Sequence, residues 1–236
     1  MTPADRNVEQ ANADLLHRIP VNASAVLEVG CGAGALGRAF KSINPKTTYI
    51  GIEPKPGPAA LARKVLDHVI EADISQQAPK TLPGDIQQVD CLVFGNVLEQ
   101  LINPAAVLRQ LLPWLKADGQ LLICIANVQH WSVLANLLVG QWPQEDQGLF
   151  NRTHLRWFTK QSITTLIKNQ GLHIQDITPR IFDSTKAKEF VSSLAPALQT
   201  LNLNAQTVFE GSAPFQYIIR ASKIKYKKFH ICGLML

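Results

Sequence analysis

The residues with the clearest chemical potential form a glycine-rich turn near the start of the chain. A short apolar run, Ala25–Val29, leads into residues 30–34, of sequence GCGAG, and a helical pattern begins directly afterwards. Glycines let the backbone turn sharply and leave no Cβ in the way of a ligand. The N-terminus of the following helix offers free N–H donors. We therefore expect a cofactor to be contacted here by Gly30, Cys31, Gly32 and Gly34, although this spacing alone also fits a dinucleotide site.

Three carboxylates stand near the ends of successive predicted strands, where ligands bind in parallel sheets. Glu28 needs a cationic partner, because burying an unpaired charge is unfavourable. An ammonium group would balance Glu28, whereas a pyrophosphate would be repelled. Glu53 can accept hydrogen bonds from ribose hydroxyls, and Asp73 can accept one from an adenine amino group. We expect all three to bind a cofactor. The alternatives are a Glu28 satisfied by backbone N–H groups, a solvated Glu53 and a turn-forming Asp73.

Strands and helices alternate along the chain, and this order places the three carboxylates along one edge of a sheet. The predicted strands cover residues 25–29, 48–52, 68–72, 89–94, 120–126, 172–181 and 216–221. The predicted helices cover residues 35–42, 58–66 and 185–200, with one more that follows Asn103 as its cap and is distorted near its end by Pro113. The alternation predicts an α/β fold: a doubly wound, mostly parallel sheet with helices on both faces.

Two segments interrupt the alternation and are predicted to be insertions in one domain of residues 1–222. Residues 128–158 hold a short helical pattern and then a long aromatic-rich stretch without regular periodicity, which is typical of a functional lid. Thr159 then caps a helix that Gly171 ends. A helical insertion is predicted at about 185–212, a lead-in helix at 5–18, and a basic, then apolar tail at 223–236.

Composition limits the class of protein. The 236 residues carry a formal net charge of +5, and nothing in their pattern indicates a nucleic-acid-binding module. The four cysteines match no zinc spacing, so no metal site is predicted. The polar N-terminus does not read as a signal peptide, and polar residues interrupt the longest apolar stretch, at 121–139. We expect a cytoplasmic protein without a transmembrane span.

The sequence resembles the class I methyltransferases that depend on S-adenosylmethionine (SAM). The resemblance is carried by residues 27–34 (LEVGCGAG), 51–53 (GIE), 72–73 (AD) and 89–100. The family motif at the last of these usually ends in Glu-His, and Gln100 stands in the place of that histidine. The resemblance implies SAM as the cofactor, adds Ile74 and Asn96 to its binding residues, and implies an antiparallel last strand.

The resemblance continues downstream into a bacterial subgroup. Residues 127–131 and 148–159 are similar to those of proteins that often lie beside, or are fused to, glycosyltransferases. Those relatives commonly have Asp where Asn151 stands. This similarity implies methylation, chiefly at oxygen, of a small molecule or a glycan precursor, and a possible association with a glycosyltransferase.

Methyl transfer from a sulfonium is an in-line displacement, for which the protein mainly aligns donor and acceptor. A hydroxyl acceptor also benefits from a general base. The candidate bases are His130 and His154, because both lie beyond the carboxyl edge of the sheet. Arg156 can clamp a phosphate or carboxylate of the acceptor. For each of the three, the alternative is a structural role.

Two other functions remain open at this point. An NAD-dependent oxidoreductase would share the glycine-rich turn and Glu53, but Glu28 disfavours it. A SAM-binding protein without catalysis is the second, because Gln100 replaces the histidine of the family motif.

Overall fold

The computed structural model describes residues 10–76 and 79–224. Its strands are β1 Ala25–Val29, β2 Thr48–Ile52, β3 His68–Ile70, β4 Val89–Gly95, β5 Leu115–Ala126, β6 Leu172–Arg180 and β7 Gln216–Lys223. Its α-helices are α1 Ala13–Leu16, α2 Ala35–Ile43, α3 Pro56–Ala62, α4 Pro104–Leu111, α5 Trp131–Leu138, α6 Lys160–Lys168, α7 Thr185–Thr200 and α8 Ala205–Ser212. Short 3₁₀ helices occupy Leu98–Gln100 and Leu112–Trp114.

The strands form one sheet in the order β3-β2-β1-β4-β5-β7-β6. Strands β1 to β5 pair in parallel, whereas β7 runs antiparallel to both β5 and β6. The chain builds outwards from β1 in one direction and then from β4 in the other, so the order reverses between β1 and β4. Ligands bind outside the carboxyl ends of the strands at such a reversal. The predicted fold class is confirmed, including the antiparallel last strand.

The central strands are buried on both faces, which explains their almost continuous apolar sequence. Leu27 and Val29 of β1 pack into one core cluster. Val26 packs into a second cluster on the opposite face, with Phe40 and Tyr49. All five residues of β1 are buried, and Glu28 is the charged one among them. A carboxylate in this position therefore requires a specific explanation.

Several element boundaries differ from the sequence prediction. Helix α3 begins at Pro56 and ends at Ala62, rather than spanning 58–66, because Pro56 already suits the first turn of a helix. Strand β5 begins at Leu115 rather than Gln120, since it pairs with Val89 before a register shift. Strand β3 ends at Ile70. The lead-in helix covers only Ala13–Leu16, and residues 5–9 of its predicted span lie outside the described residues.

The predicted helix ends are present. The side chain of Asn103 accepts a hydrogen bond from the Ala106 N–H at the start of α4. Thr159 and Ser162 form a reciprocal capping box at the start of α6. Pro113 lies in the 3₁₀ turn that follows α4, as expected of a residue that cannot continue an α-helix.

The structure also describes the two segments that interrupt the alternation of strands and helices. Residues 140–158, called the irregular segment below, contain no helix or strand, and α5 precedes them. Helices α7 and α8 occupy most of residues 185–212. The division into one domain with two insertions stays a prediction, and residues 225–236 of the predicted tail lie outside the described residues. In the described part of the chain, no helix has the length and apolar content to cross a membrane.

Candidate functional site

The glycine-rich turn connects β1 to α2 at the carboxyl edge of the sheet. Gly30, Gly32 and Gly34 all adopt positive φ, at 70°, 55° and 81°. The Gly30 and Cys31 N–H groups both donate to the Ile52 carbonyl at the end of β2, which fixes the turn to the neighbouring strand. A Cβ on Gly32 would have no protein heavy atom within 4 Å, so open space lies directly above this residue. The turn therefore leaves room for a ligand to approach, while its Gly30, Cys31 and Gly32 N–H groups already have protein partners.

Glu28 is buried beneath this turn, with 6% of its surface exposed. The Tyr49 hydroxyl donates to Glu28 Oε2 at 3.0 Å, so the partner is a side chain on β2 rather than local backbone N–H groups. Burial, with a smaller contribution from the nearby Glu53, raises the pKa of Glu28 from 4.5 to about 8, despite the Tyr49 hydrogen bond. A cation at this edge would favour the ionised form. The site is thus suited to an ammonium group.

Glu53 is also buried, and it is tied to the glycine-rich turn. Its Oε2 accepts from the Gly32 N–H at 3.0 Å, and its Oε1 accepts from the Lys55 N–H at 3.0 Å. Glu53 is therefore not a solvated strand end. Each carboxylate oxygen can accept a second hydrogen bond, so the side chain can still bind hydroxyl groups.

Asp73 and Ile74 follow β3 at the same edge. Asp73 is exposed, and its carboxylate accepts from the Ser75 N–H and the Gln76 side-chain amide, both at 2.9 Å. These contacts form a turn, which was the structural alternative, and they leave room for a further donor. Ile74 is buried in the core cluster that contains Val29. The cofactor-binding role of both residues stays a prediction.

Asn96 directly follows β4 and has a positive φ of 56°. Its N–H donates to the Cys124 carbonyl, which holds it against β5. It lines a cavity of about 750 Å³ that extends from Asn96 across the ends of β5, β6 and β7. Asn96 therefore lies where the predicted cofactor residues meet this cavity.

Of the three predicted catalytic residues, His154 lies on the wall of this cavity. Burial lowers its pKa, although a hydrogen bond to the Leu149 backbone raises it in part. A neutral imidazole at neutral pH is the form that a general base requires. Asn96 and His154 are thus brought to one cavity from β4 and from the irregular segment.

His130 does not belong to the lining of the cavity. It caps α5, and its Nδ1 lies 2.8 Å from the Ser132 hydroxyl. Its ring packs edge-on against Phe215, which does line the cavity. Burial lowers the pKa of His130 to about 4. His130 therefore supports the wall from behind, and its predicted role as a base has no geometric support.

Arg156 is exposed, and its guanidinium donates to the carbonyls of Leu155 and Ile102. This arrangement matches the structural alternative, in which Arg156 anchors the irregular segment. In the same segment, Trp142 packs edge-on against Phe150 and Trp157. The clamping role of Arg156 stays a prediction without a contact to the cavity.

Glu99 was not assigned a role from the sequence, although it lies in the motif that Gln100 ends. It is 1% exposed, and burial raises its pKa to about 7. Oε1 accepts from the Ala126 N–H, and Oε2 has no partner among the described residues. Its backbone carbonyl accepts from the Leu155 and Arg156 N–H groups. Glu99 thus links β5 to the irregular segment beneath the cavity.

The described residues contain no group of three or more His, Cys, Asp or Glu side chains placed to hold a metal ion. The candidate site therefore consists of the buried acidic turn and the adjoining polar cavity. Together they can hold a cationic ligand with hydroxyl groups beside a second, polar molecule.

Comparisons with known proteins place the chain among methyl-transferring enzymes. A family model described as a methyltransferase domain matches residues 4–177. The ubiquinone biosynthesis O-methyltransferase of Xanthomonas euvesicatoria pv. vesicatoria (strain 85-10) is 24% identical over 181 residues, which cover 75% of this chain and 74% of that protein. The protein of the same name from Pseudomonas paraeruginosa (strain DSM 24068 / PA7) is 30% identical over 162 residues, which cover 64% of this chain and 66% of that protein.

A solved structure shares the fold. The plantazolicin methyltransferase BpumL in complex with SAH superposes with a TM-score of 0.58 and 19% identity, covering 86% of this chain and 77% of that chain. At this identity, the similarity supports the architecture and leaves the ligands to be argued from the site itself.

Proposed function

The chain belongs to the methyltransferase-domain family and is an enzyme that transfers methyl groups, and we propose that it takes the methyl group from SAM. SAM supplies an electrophilic methyl group on a sulfonium. The acceptor in this proposal is an oxygen atom of a small molecule or a glycan precursor. The named O-methyltransferase relatives support the choice of oxygen.

The observation that carries the proposal is the buried carboxylate of Glu28 beneath an open glycine turn. Glu28 can hold the ammonium of the methionine moiety, because a cation there compensates the burial of its charge. Glu53 can accept from the ribose hydroxyls, and Asp73 and Ile74 can border the adenine. The open space at Gly32 leaves room for the cofactor to approach the backbone.

The cavity beside Asn96 supports an acceptor site. We propose His154 as the base that takes the acceptor's proton, since it lies on the cavity wall. The resemblance to proteins found beside glycosyltransferases supports a carbohydrate acceptor and an association with a glycosyltransferase, and these two assignments rest on it alone. The cytoplasmic location is proposed on other grounds, among them the free, buried Cys31, Cys91 and Cys124, which suit a reducing compartment.

Calorimetry with SAM, S-adenosylhomocysteine, NAD and NADP tests the cofactor. We expect the first two to bind and the nicotinamide cofactors not to bind. Glu28→Gln should weaken SAM binding by about 10- to 150-fold, as loss of a charged hydrogen-bond partner does. The matched control Glu71→Gln should not change the affinity, because Glu71 is exposed and pairs with Arg63.

Tight NAD binding without SAM binding would refute the proposal in favour of an oxidoreductase. If SAM binds but no S-adenosylhomocysteine forms with any hydroxyl-bearing acceptor, the alternative without catalysis is correct. In that case, Gln100 in place of the family histidine is the first residue to examine.

A further inference from the structure

The cavity beside Asn96 has an unusual lining. Seven of its sixteen lining residues carry a side-chain amide, among them Gln10, Asn12, Gln100 and Asn151. An amide both donates and accepts hydrogen bonds, as a hydroxyl does. Some of these amides also bond to the protein: Asn12 Oδ1 accepts from the Asp14 and Leu15 N–H groups, Asn151 Oδ1 accepts from Thr153, and Gln100 Nε2 donates to the Asn96 carbonyl. The amide groups that these bonds do not occupy match a ligand with many hydroxyl groups. Phe182 and Phe215 add aromatic surfaces, against which the C–H face of a ring can pack.

The charges on the cavity wall do not favour an anionic ligand. Arg180 lines the cavity, but its Nε lies 2.6 Å from Asp14 Oδ2, and its guanidinium stacks on Phe182. Glu145 is a carboxylate on the same wall. A phosphate or carboxylate on the ligand would thus meet a compensated arginine and an acidic side chain. A neutral ligand is favoured.

A chain of hydrogen bonds fixes the orientation of the Asn96 amide. Arg180 Nη1 donates to Gln216 Oε1 at 2.6 Å. The amide nitrogen of Gln216 then donates to Asn96 Oδ1 at 2.8 Å. Because arginine can only donate, this order determines both amide orientations. The Asn96 amide nitrogen has no partner among the described residues, so its two N–H groups remain available to a ligand.

We infer that the cavity binds a neutral acceptor with several hydroxyl groups, a sugar or similar polyol, and that Arg180 and Gln216 position Asn96 to donate to one of its oxygens. This inference rests on the proposed function, and it assigns to the acceptor the Asn96 side chain that the family resemblance had placed among the cofactor-binding residues. Gln216 also lines the cavity, but its Oε1 accepts from Arg180 and its Nε2 donates to Asn96, so it acts on the ligand through Asn96 as a positioning residue.

Ligand-observed NMR with the full chain and S-adenosylhomocysteine tests the ligand class. The probes are methyl α-D-glucopyranoside, methyl α-D-mannopyranoside and methyl α-L-rhamnopyranoside, compared with glucose 1-phosphate and catechol. We expect at least one glycoside to bind and to bind more tightly than the other two probes. If catechol or the phosphate binds while no glycoside does, or if nothing binds to protein saturated with S-adenosylhomocysteine, the ligand class is wrong.

Two variants test the positioning role. Gln216→Leu removes both amide contacts, and Gln216→Glu keeps the shape but cannot donate to Asn96. Each should weaken glycoside binding by about three- to tenfold, as loss of a neutral hydrogen bond does. The control Gln175→Leu should have no effect, because Gln175 is an exposed amide that contacts Ser222 on the neighbouring strand.

The affinity for S-adenosylhomocysteine separates the possible failures. We expect it to stay within about twofold in both Gln216 variants, consistent with a role on the acceptor side. A drop in this affinity with unchanged glycoside binding would assign the hydrogen-bond chain to the cofactor and overturn the inference. Unchanged glycoside binding in a folded Gln216→Glu variant would also overturn it. Failure of the parent protein to bind S-adenosylhomocysteine would instead contradict the proposed function.

Discussion

Glu53 combines two tasks that the sequence alone did not separate. Its carboxylate holds the Gly32 and Lys55 backbone N–H groups, and its remaining lone pairs are available to ribose hydroxyls. We predict that Glu53→Ala lowers SAM affinity by about 10- to 150-fold, the range for hydrogen bonds to a charged group. Isothermal titration of the folded variant measures this. An unchanged dissociation constant would restrict Glu53 to supporting the turn.

The two histidines differ in position, and this difference makes them experimentally separable. His154 lines the acceptor cavity, whereas His130 packs behind Phe215. We predict that His154→Ala loses about 100-fold or more in turnover, the usual contribution of a positioned acid–base group, with SAM affinity preserved. His173→Ala is the control, because His173 is exposed on β6.

For His130→Ala, we expect reduced stability through the lost cap and ring packing, with a smaller effect on turnover. Turnover with an identified acceptor, SAM titration and thermal unfolding distinguish these outcomes. If both variants turn over at the parent rate, the histidines are structural and catalysis depends on alignment. A collapse of SAM affinity in either variant would move that histidine to the cofactor site.

At the level of elements, the β1–α2 turn contains two glycines at which a side chain would have different consequences. A Cβ on Gly30 would collide with the Val97 side chain, whereas a Cβ on Gly32 would point into open space. We predict that Gly30→Ala lowers the free energy of unfolding by about 2–5 kcal/mol, through overpacking and the positive φ.

Gly32→Ala should lower the free energy of unfolding by only about 1–2 kcal/mol, from its φ alone, yet weaken SAM binding at least tenfold. Its Cβ would occupy the space in which the cofactor is proposed to lie. Urea unfolding and SAM titration of both variants provide the measurement. Parent-like SAM affinity in Gly32→Ala would show that the cofactor does not pass over this residue.

The elements also show what the sequence could predict about the site. Glu28 and Glu53 lie at the ends of adjacent parallel strands, so the local pattern was sufficient to place them along one edge, whereas Asn96, which follows β4, was assigned through the family resemblance. No sequence pattern pointed to Arg180 and Gln216 as parts of the site. Gln216 lies 120 residues after Asn96, and the contact between these two residues depends on the antiparallel insertion of β7 between β5 and β6. The side-chain directions of His130 and Arg156 were likewise not predictable, since His130 only caps helix α5 and Arg156 lies in a segment without periodicity.

The whole molecule divides its carboxyl edge into two chemically different halves. The half formed by β1, β2 and β3 carries the buried carboxylates, which suit a cation. The half formed by β4, β5, β7 and β6 carries the amide-lined cavity, which suits a neutral polar molecule. Asn96 joins the halves, and Glu99 connects β5 to the irregular segment, which contributes Asn151 and His154 to the cavity wall. This arrangement would bring a donor and an acceptor together where the order of strands reverses.

The buried carboxyl groups should also make the stability of the ligand-free protein depend on pH. Burial raises the pKa of Glu28 to about 8 and that of Glu99 to about 7. In the unfolded chain both groups ionise near pH 4.5, so between pH 4.5 and 8 the folded state binds more protons. The free energy of unfolding therefore falls as the pH rises through this range. Because burial lowers the pKa values of His130 and His154, these two groups make the free energy of unfolding rise with pH. They do so only below about pH 6.5.

From pH 7 to 8 the carboxyl groups dominate this dependence, and Glu28 contributes most, because the histidines titrate mainly below this interval and the buried cysteines, whose pKa values burial raises, mainly above it. We predict that the free energy of unfolding decreases there by at most about 1.4 kcal/mol per pH unit for each group. Glu28→Gln should flatten the slope, because glutamine does not titrate, whereas the exposed control Glu71→Gln should retain the parent slope. Urea unfolding curves at four pH values measure these slopes.

Saturating SAM should also flatten the parent slope, since an ammonium group beside Glu28 keeps its carboxylate ionised in the folded state. Equal slopes in the parent and Glu28→Gln would mean that Glu28 is ionised without a ligand, and the argument for a cationic cofactor would then lose its electrostatic basis.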